Sequence, residues 1–229
     1  MSQVDAVIFD MDGILIDSEV IWRQVREEFA AEHGLVWDAA LQVSCMGCST
    51  STWARIMVDE LQLKPRLGLD EDGIAREIKR RLLQKFRLQL PEREGAVAAV
   101  KLVASRYPVA LATGSPVELA SFVMQATGLD RVFLASVYGD DVEHGKPAPD
   151  IYLAALQKLG VAPERAVGVE DSANGIRSLR AAGMAIVAAP GPEFPLDADI
   201  LALADVRIGA MTELSLAVIQ AAGSGRAAR

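Results

Sequence analysis

The chain has 229 residues, 51% of them hydrophobic and 24% charged, with a net charge of −8. That apolar content excludes a disordered chain, and a uniform negative field counts against nucleic acid and anionic membrane as partners. No run of 18 apolar residues is present, Met1 to Asp5 lacks the basic-then-apolar pattern of a signal peptide, and two cysteines fit a reducing compartment, so a cytoplasmic protein is expected.

The first element is a short, wholly apolar run, Ala6 to Phe9. Such a run suits a strand buried on both faces of a parallel sheet. Similar runs follow at Val109–Ala112, Val132–Ala135, Ala166–Val169 and Ala185–Ala189. Helical stretches lie between most of them. Ser115-Pro-Val-Glu118 reads as a capping box with proline at the first helical position, leading into a helix over Val117–Gln125. Asp150–Leu159 and Ser172–Ala182 are helices closed by Gly160 and Gly183. Alternating strands and helices give an α/β fold, a Rossmann-like doubly wound parallel sheet.

One segment breaks the alternation. From Ile16 to Leu90 the pattern is helical, with Ile21, Val25 and Phe29, then Ile74, Ile78, Leu82 and Phe86, each recurring every fourth residue. The expected organisation is therefore an α/β core from residues 1–15 and 91–229 and an inserted all-helical cap over residues 16–90. Leu90 to Gly95 reads as a linker, and the small, polar tail from Ala221 to Arg229 reads as frayed.

Four segments carry chemistry, each placed after or between the predicted strands. Asp10-Met-Asp12-Gly13 sets two carboxylates at a strand's carboxyl end, where open α/β sheets bind ligands. One such acid can attack phosphorus while its neighbour handles the leaving group's proton. Thr113-Gly114-Ser115 runs from a strand into a helix start, which suits phosphate. Lys146, in Gly145-Lys-Pro147, supplies a point charge. Glu170-Asp171 is an acid pair suited to a hard cation such as Mg²⁺. Each has a plainer reading: a turn, an N-cap, a surface lysine, an acidic helix start.

Together and in this order, Val7 to Ser18, Leu111 to Ser115, Gly145 to Asp150 and Gly168 to Gly175 closely resemble the haloacid dehalogenase-like hydrolase superfamily. The likeness is to the subgroup with a helical cap, which includes phosphoglycolate phosphatase and β-phosphoglucomutase. The resemblance implies that Asp10 is the nucleophile and Asp12 the general acid and base. It implies that Thr113, Gly114, Ser115 and Lys146 hold phosphate. Asp10, the Asp12 backbone carbonyl, Glu170 and chiefly Asp171 would hold Mg²⁺.

Within that superfamily the acids select phosphate chemistry, since dehalogenases lack the second acid and need no metal. The first cap helix, Glu19 to His33, has no lysine for the Schiff base of the phosphonate-cleaving relatives. Trp22 and Thr50 stand where the mutase has a histidine and an arginine, and Val117 replaces a polar residue. The expected function is a Mg²⁺-dependent phosphatase acting on a small phosphomonoester, a sugar phosphate or a phosphoglycolate-like metabolite, through an aspartyl-phosphate. A sugar-phosphate mutase is the alternative. A signalling receiver is disfavoured because its phospho-acceptor follows a later strand, and the complete acid set disfavours a catalytically silent binding protein. Trp22, Trp53 and Arg55 are candidate pocket residues. Cys45 and Cys48 read as ordinary reduced thiols, because no second pair or nearby histidine completes a zinc site. The partner is a small phosphorylated molecule, and the chain is expected to be a monomer or weak homodimer.

Overall fold

The structure is a computed structural model that describes residues 4–192 and 195–225. Strand β1, Ala6–Phe9, has all four residues buried, as its unbroken apolar run requires. Five more strands follow: β2 (Val109–Thr113), β3 (Ala135–Tyr138), β4 (Ala166–Glu170), β5 (Ala185–Ala188) and β6 (Val206–Arg207). All pair in parallel, in the order β3-β2-β1-β4-β5-β6. The order reverses at β1, which is the switch point where doubly wound sheets open a crevice. Phe9 is in register with Leu111 of β2 and Val169 of β4, so the three strands end almost level.

Side chains alternate between the two faces. Val7, Phe9, Leu111 and Val169 enter one core, shared with the helical segment and with α6 (Ala96–Ala104) and α7 (Val117–Thr127). Ile8, Ala110, Ala112 and Ile186 enter the other, under α8 (Asp150–Leu159) and α9 (Ala173–Ala182).

Between β1 and α6 lie five helices: α1 (Ser18–Glu32), α2 (Ala39–Cys45), α3 (Thr50–Glu60), α4 (Leu63–Leu67) and α5 (Glu71–Leu88). Val25 and Phe29 of α1 and Ile74, Ile78, Leu82 and Phe86 of α5 are buried, as the periodicity predicts. The chain leaves and re-enters the sheet side by side: Ile16 bridges Glu92, and the Asp17 amide donates to the Pro91 carbonyl at 2.8 Å.

Three expectations need correction, and one strand was not foreseen. The run Val132–Ala135 is mostly a turn before β3; Val132 and Phe133 pack partly buried against the core, the Phe133 ring 6.1 Å edge-on from Phe9, while Leu134 is exposed. No capping box forms at Ser115: Pro116 caps α7 without a side-chain bond, and the Ser115 hydroxyl is drawn to Asp12 instead. The tail is helical through Gly225, because α10 (Leu216–Gly225) buries Ile219 and Ala222 against the sheet; residues 226–229 lie outside the described residues. Finally β6 has only two residues, too short for an apolar run to announce it.

Candidate active site

The carboxyl ends of β1, β2 and β4 bring the predicted residues together. Asp10 follows β1 directly, and its amide donates to the Val169 carbonyl on β4. The loop then turns at Gly13, whose φ of +74° suits glycine. A side chain at Gly13 would also overlap the Asp171 carboxylate, so the absence of Cβ lets the two loops meet.

Lys146 is the hinge of the charge arrangement. Its ammonium lies 2.8 Å from Asp10 Oδ1 and 2.6 Å from Glu170 Oε1, and 5.0 Å from the centre of the Tyr152 ring. Burial works against its charge, yet Asp10 and Glu170 prevail and hold it well above the usual lysine range. Glu170 is completely buried and fully partnered. Its Oε2 accepts from the amides of Asp171 and Ser172, each at 2.8 Å, and Oε1 accepts from the Tyr152 hydroxyl. Burial opposes its charge as well, but Lys146 and these donors keep it below the ordinary glutamate value.

Asp12 faces a ring of donors. Its Oδ1 accepts from the Ser18 hydroxyl at 2.5 Å and the Trp22 indole at 3.4 Å. Its Oδ2 accepts from the Ser115 hydroxyl at 2.7 Å and the Thr113 hydroxyl at 3.2 Å. The Ser115 amide in turn donates to the Thr113 hydroxyl. These bonds fix the carboxylate beside Asp10.

Asp10, Glu170 and Asp171 each offer an oxygen, all within 4.8 Å of one another and all buried. Three carboxylates against one lysine leave excess negative charge in a site with little water to screen it. Burial, followed by Glu170, pushes the Asp171 carboxyl well up, and burial likewise raises Asp10 to about 8 against the pull of Lys146. An all-oxygen set whose own charges repel is the donor chemistry of a hard divalent cation. Among the described residues this is the one such cluster.

On the core side, Asp10, Asp12, Gly114, Ser115 and Lys146 line a cavity of about 30 Å³. Across it stand helical-segment residues: Trp22, Trp53, Glu19, Arg26, and Cys45 with Gly47 and Cys48. Trp22 and Trp53 were expected here; Arg55 lines a different cleft. Thr113 is buried behind Asp12 rather than in the cavity wall. Cys45 and Cys48 are free, and burial raises both thiols, Cys48 to about 11, so neither is a reactive thiolate.

Sequence reasoning missed Glu19, Arg26 and Arg93. Arg26 falls one turn after Trp22, on a buried stripe beside the apolar one. Its guanidinium is ringed by Trp22, Trp37 and Trp53, at 4.7, 5.5 and 5.6 Å. Burial, against the pull of Arg26, raises Glu19 to about 7. Arg93, in the supposed linker, is buried and donates to the carbonyls of Gly13, Ala189 and Pro190, tying the β1 loop to the end of β5.

Both the sequence and the fold match known proteins. A family model described as haloacid dehalogenase-like hydrolase matches residues 4–183. A phosphorylated carbohydrates phosphatase of Thermotoga maritima is 34% identical over 79% of this chain and 82% of its own length. Fructose-1-phosphate phosphatase YqaB of Escherichia coli is 35% identical over 78% of this chain and 92% of its own. Among solved structures, β-phosphoglucomutase of Clostridium difficile aligns with a TM-score of 0.83 at 20% identity, over 99% of this chain and 100% of that one. CbbY of Rhodobacter sphaeroides, in complex with phosphate, aligns at 0.79 with 27% identity, over 95% and 100%.

Proposed function

The chain belongs to the haloacid dehalogenase-like hydrolase family, and from that premise we propose a Mg²⁺-dependent phosphatase that hydrolyses a small sugar phosphate or related phosphomonoester. The observation that carries this reading is the Asp10–Lys146–Glu170 chain beside Asp12, set where β1, β2 and β4 end. Asp10 attacks phosphorus in line and takes the phosphoryl group as an acyl-phosphate, while Asp12 gives a proton to the departing alkoxide. Asp12 then takes a proton from the water that cleaves the acyl-phosphate, returning Asp10 free and releasing inorganic phosphate. Lys146 offsets the repulsion between Asp10 and the incoming dianion. Thr113 and Ser115 hold Asp12, and Ser115 with the Gly114 backbone faces the phosphoryl oxygens.

Asp10, Asp171, Glu170 and the Asp12 carbonyl would hold Mg²⁺, with Asp171 the main side-chain donor, since Glu170 spends its oxygens on Lys146 and backbone amides. When bound, the cation neutralises charge on the phosphoryl group. The helical segment, residues 16–90, acts as a cap over a core of residues 1–15 and 91–229. No helix among the described residues is long and apolar enough to cross a membrane; the free thiols favour a cytoplasmic enzyme, and the proposed assembly is a monomer or weak homodimer.

Phosphate release from a set of phosphorylated metabolites tests this reading; it requires turnover with Mg²⁺ that disappears in Asp10→Asn. The likeness to the mutase is one of fold. Incubation with β-glucose 1-phosphate and its bisphosphate separates the two: isomerisation faster than phosphate release would favour the mutase.

A further inference from the structure

On the cap side of the cavity a buried cation has no carboxylate in hydrogen-bond contact. Arg26 is 2% exposed, and its Nε is buried with no hydrogen-bond partner. A buried guanidinium N–H left unpaired costs free energy, so it marks a place where a further acceptor fits. Its Nη1 donates to Gln42 Oε1 at 3.2 Å, and Trp37 donates to the same oxygen at 3.0 Å. The Gln42 amide then donates to Glu19 Oε2 at 3.1 Å. Gln42 thus fixes both charged groups from behind, while Arg26 and Glu19 line the cavity. Trp22 and Trp53, edge to face at 5.6 Å, supply an aromatic wall.

The core side offers Lys146 and the Ser115 hydroxyl to the phosphoryl group. The alcohol half of the substrate must therefore meet the cap side. There it finds one donor group, one acceptor group and an aromatic surface. A hydroxyl can donate to a carboxylate and accept from a guanidinium, and the C–H face of a polyol or sugar packs on indole. A second acid on the alcohol would gain Arg26 but would face Glu19.

We propose that Glu19 and Arg26 are the specificity-determining pair, reading adjacent hydroxyls of a polyol or sugar leaving group. This rests on the phosphatase reading, and it separates polyhydroxy substrates from phosphoglycolate-like ones. A site built to bond hydroxyls rejects analogues that lack them.

The test measures kcat/KM for glucitol 6-phosphate, 2-phosphoglycolate and phenyl phosphate in the wild type, Glu19→Gln and Arg26→Lys, with thermal unfolding of each. The wild type should prefer glucitol 6-phosphate. In Glu19→Gln the ratio of glucitol 6-phosphate to phenyl phosphate should fall about tenfold or more, carried by KM. Arg26→Lys should move the ratio the same way. An unmoved ratio in Glu19→Gln, with both substrates falling together, overturns the pair as a reader of hydroxyls. So does a wild type that prefers 2-phosphoglycolate. A wild type that releases phosphate from none of the three, phenyl phosphate included, removes the phosphatase reading and the proposal with it.

Discussion

Glu170 reaches Asp10 only through Lys146, whose ammonium lies 2.6 Å from the first carboxylate and 2.8 Å from the second. Glu170 is thus a positioning residue for the lysine as much as a metal-site acid. Glu170→Gln sets an NH2 group against the Lys146 ammonium and Tyr152 hydroxyl or against two backbone amides, so it should lower Tm, and it removes the charge that helps hold Lys146 protonated. The expected result is a fall of about tenfold or more in kcat/KM, with alkaline activity lost at lower pH than in the wild type. A pH–rate profile checks it; an unshifted alkaline limb would contradict the assignment.

Asp10 and Asp12 should separate in their effects. Asp10→Asn removes the nucleophile, and turnover should drop by about a thousandfold or more. Asp12→Asn leaves the nucleophile but removes the group that activates water, so steady-state turnover should fall by about 10² to 10⁴. The second variant should also accumulate acyl-phosphate, seen as a mass increase of one phosphoryl group that Asp10→Asn never shows.

Metal binding should depend on pH in a stated direction. Burial raises the carboxyls of Asp10 and Asp171. Without metal, their contribution to stability is fully present below the unfolded carboxylate values and is lost as pH rises through the raised folded ones. A divalent cation replaces those protons, so its stabilisation grows over the same window. The Mg²⁺-induced rise in Tm should be larger at pH 8 than at pH 6, and chelation should abolish activity. A rise independent of pH, or turnover in chelator, would count against the site.

Arg93 offers a test of the scaffold. Arg93→Ala leaves the carbonyls of Ala189 and Pro190 without their donor and frees the loop that carries Asp12 and Gly13. The expected cost is about 3 kcal/mol in urea unfolding, together with a lower kcat. Gly13→Ala acts on the same loop by another route. It should cost roughly 1–2 kcal/mol for the left-handed backbone and weaken Mg²⁺ binding by displacing Asp171.

The residues proposed to handle phosphate and cation were legible because their chemistry needs fixed types at strand ends. Asp10 directly follows an apolar run, Lys146 follows a glycine, and Asp171 comes two positions after the run that ends at Val169, all visible in one dimension. The pair Glu19 and Arg26 was not legible, because its meaning comes from three tryptophans and a glutamine gathered from α1, the loop before α2, α2 itself and α3. Arg93 was hidden for a related reason: its carbonyl acceptors lie about 80 to 100 positions away in the chain. The strand at Val132 failed differently. An apolar run does not distinguish a strand from a turn, and here a turn half-buries Val132 and Phe133 against the core and leaves Leu134 exposed.

Asn174, on the first turn of α9, donates from its side chain to the Met46 carbonyl at 3.0 Å, in the loop that roofs the cavity. The same helix start carries Ser172, whose hydroxyl caps it and bonds Glu170. The bolt that fastens the roof and the floor that receives the cation are therefore cut from one piece. A substitution at residues 171–174 therefore acts on two things at once, the contact between the helical segment and the core and the carboxylates proposed to hold the cation.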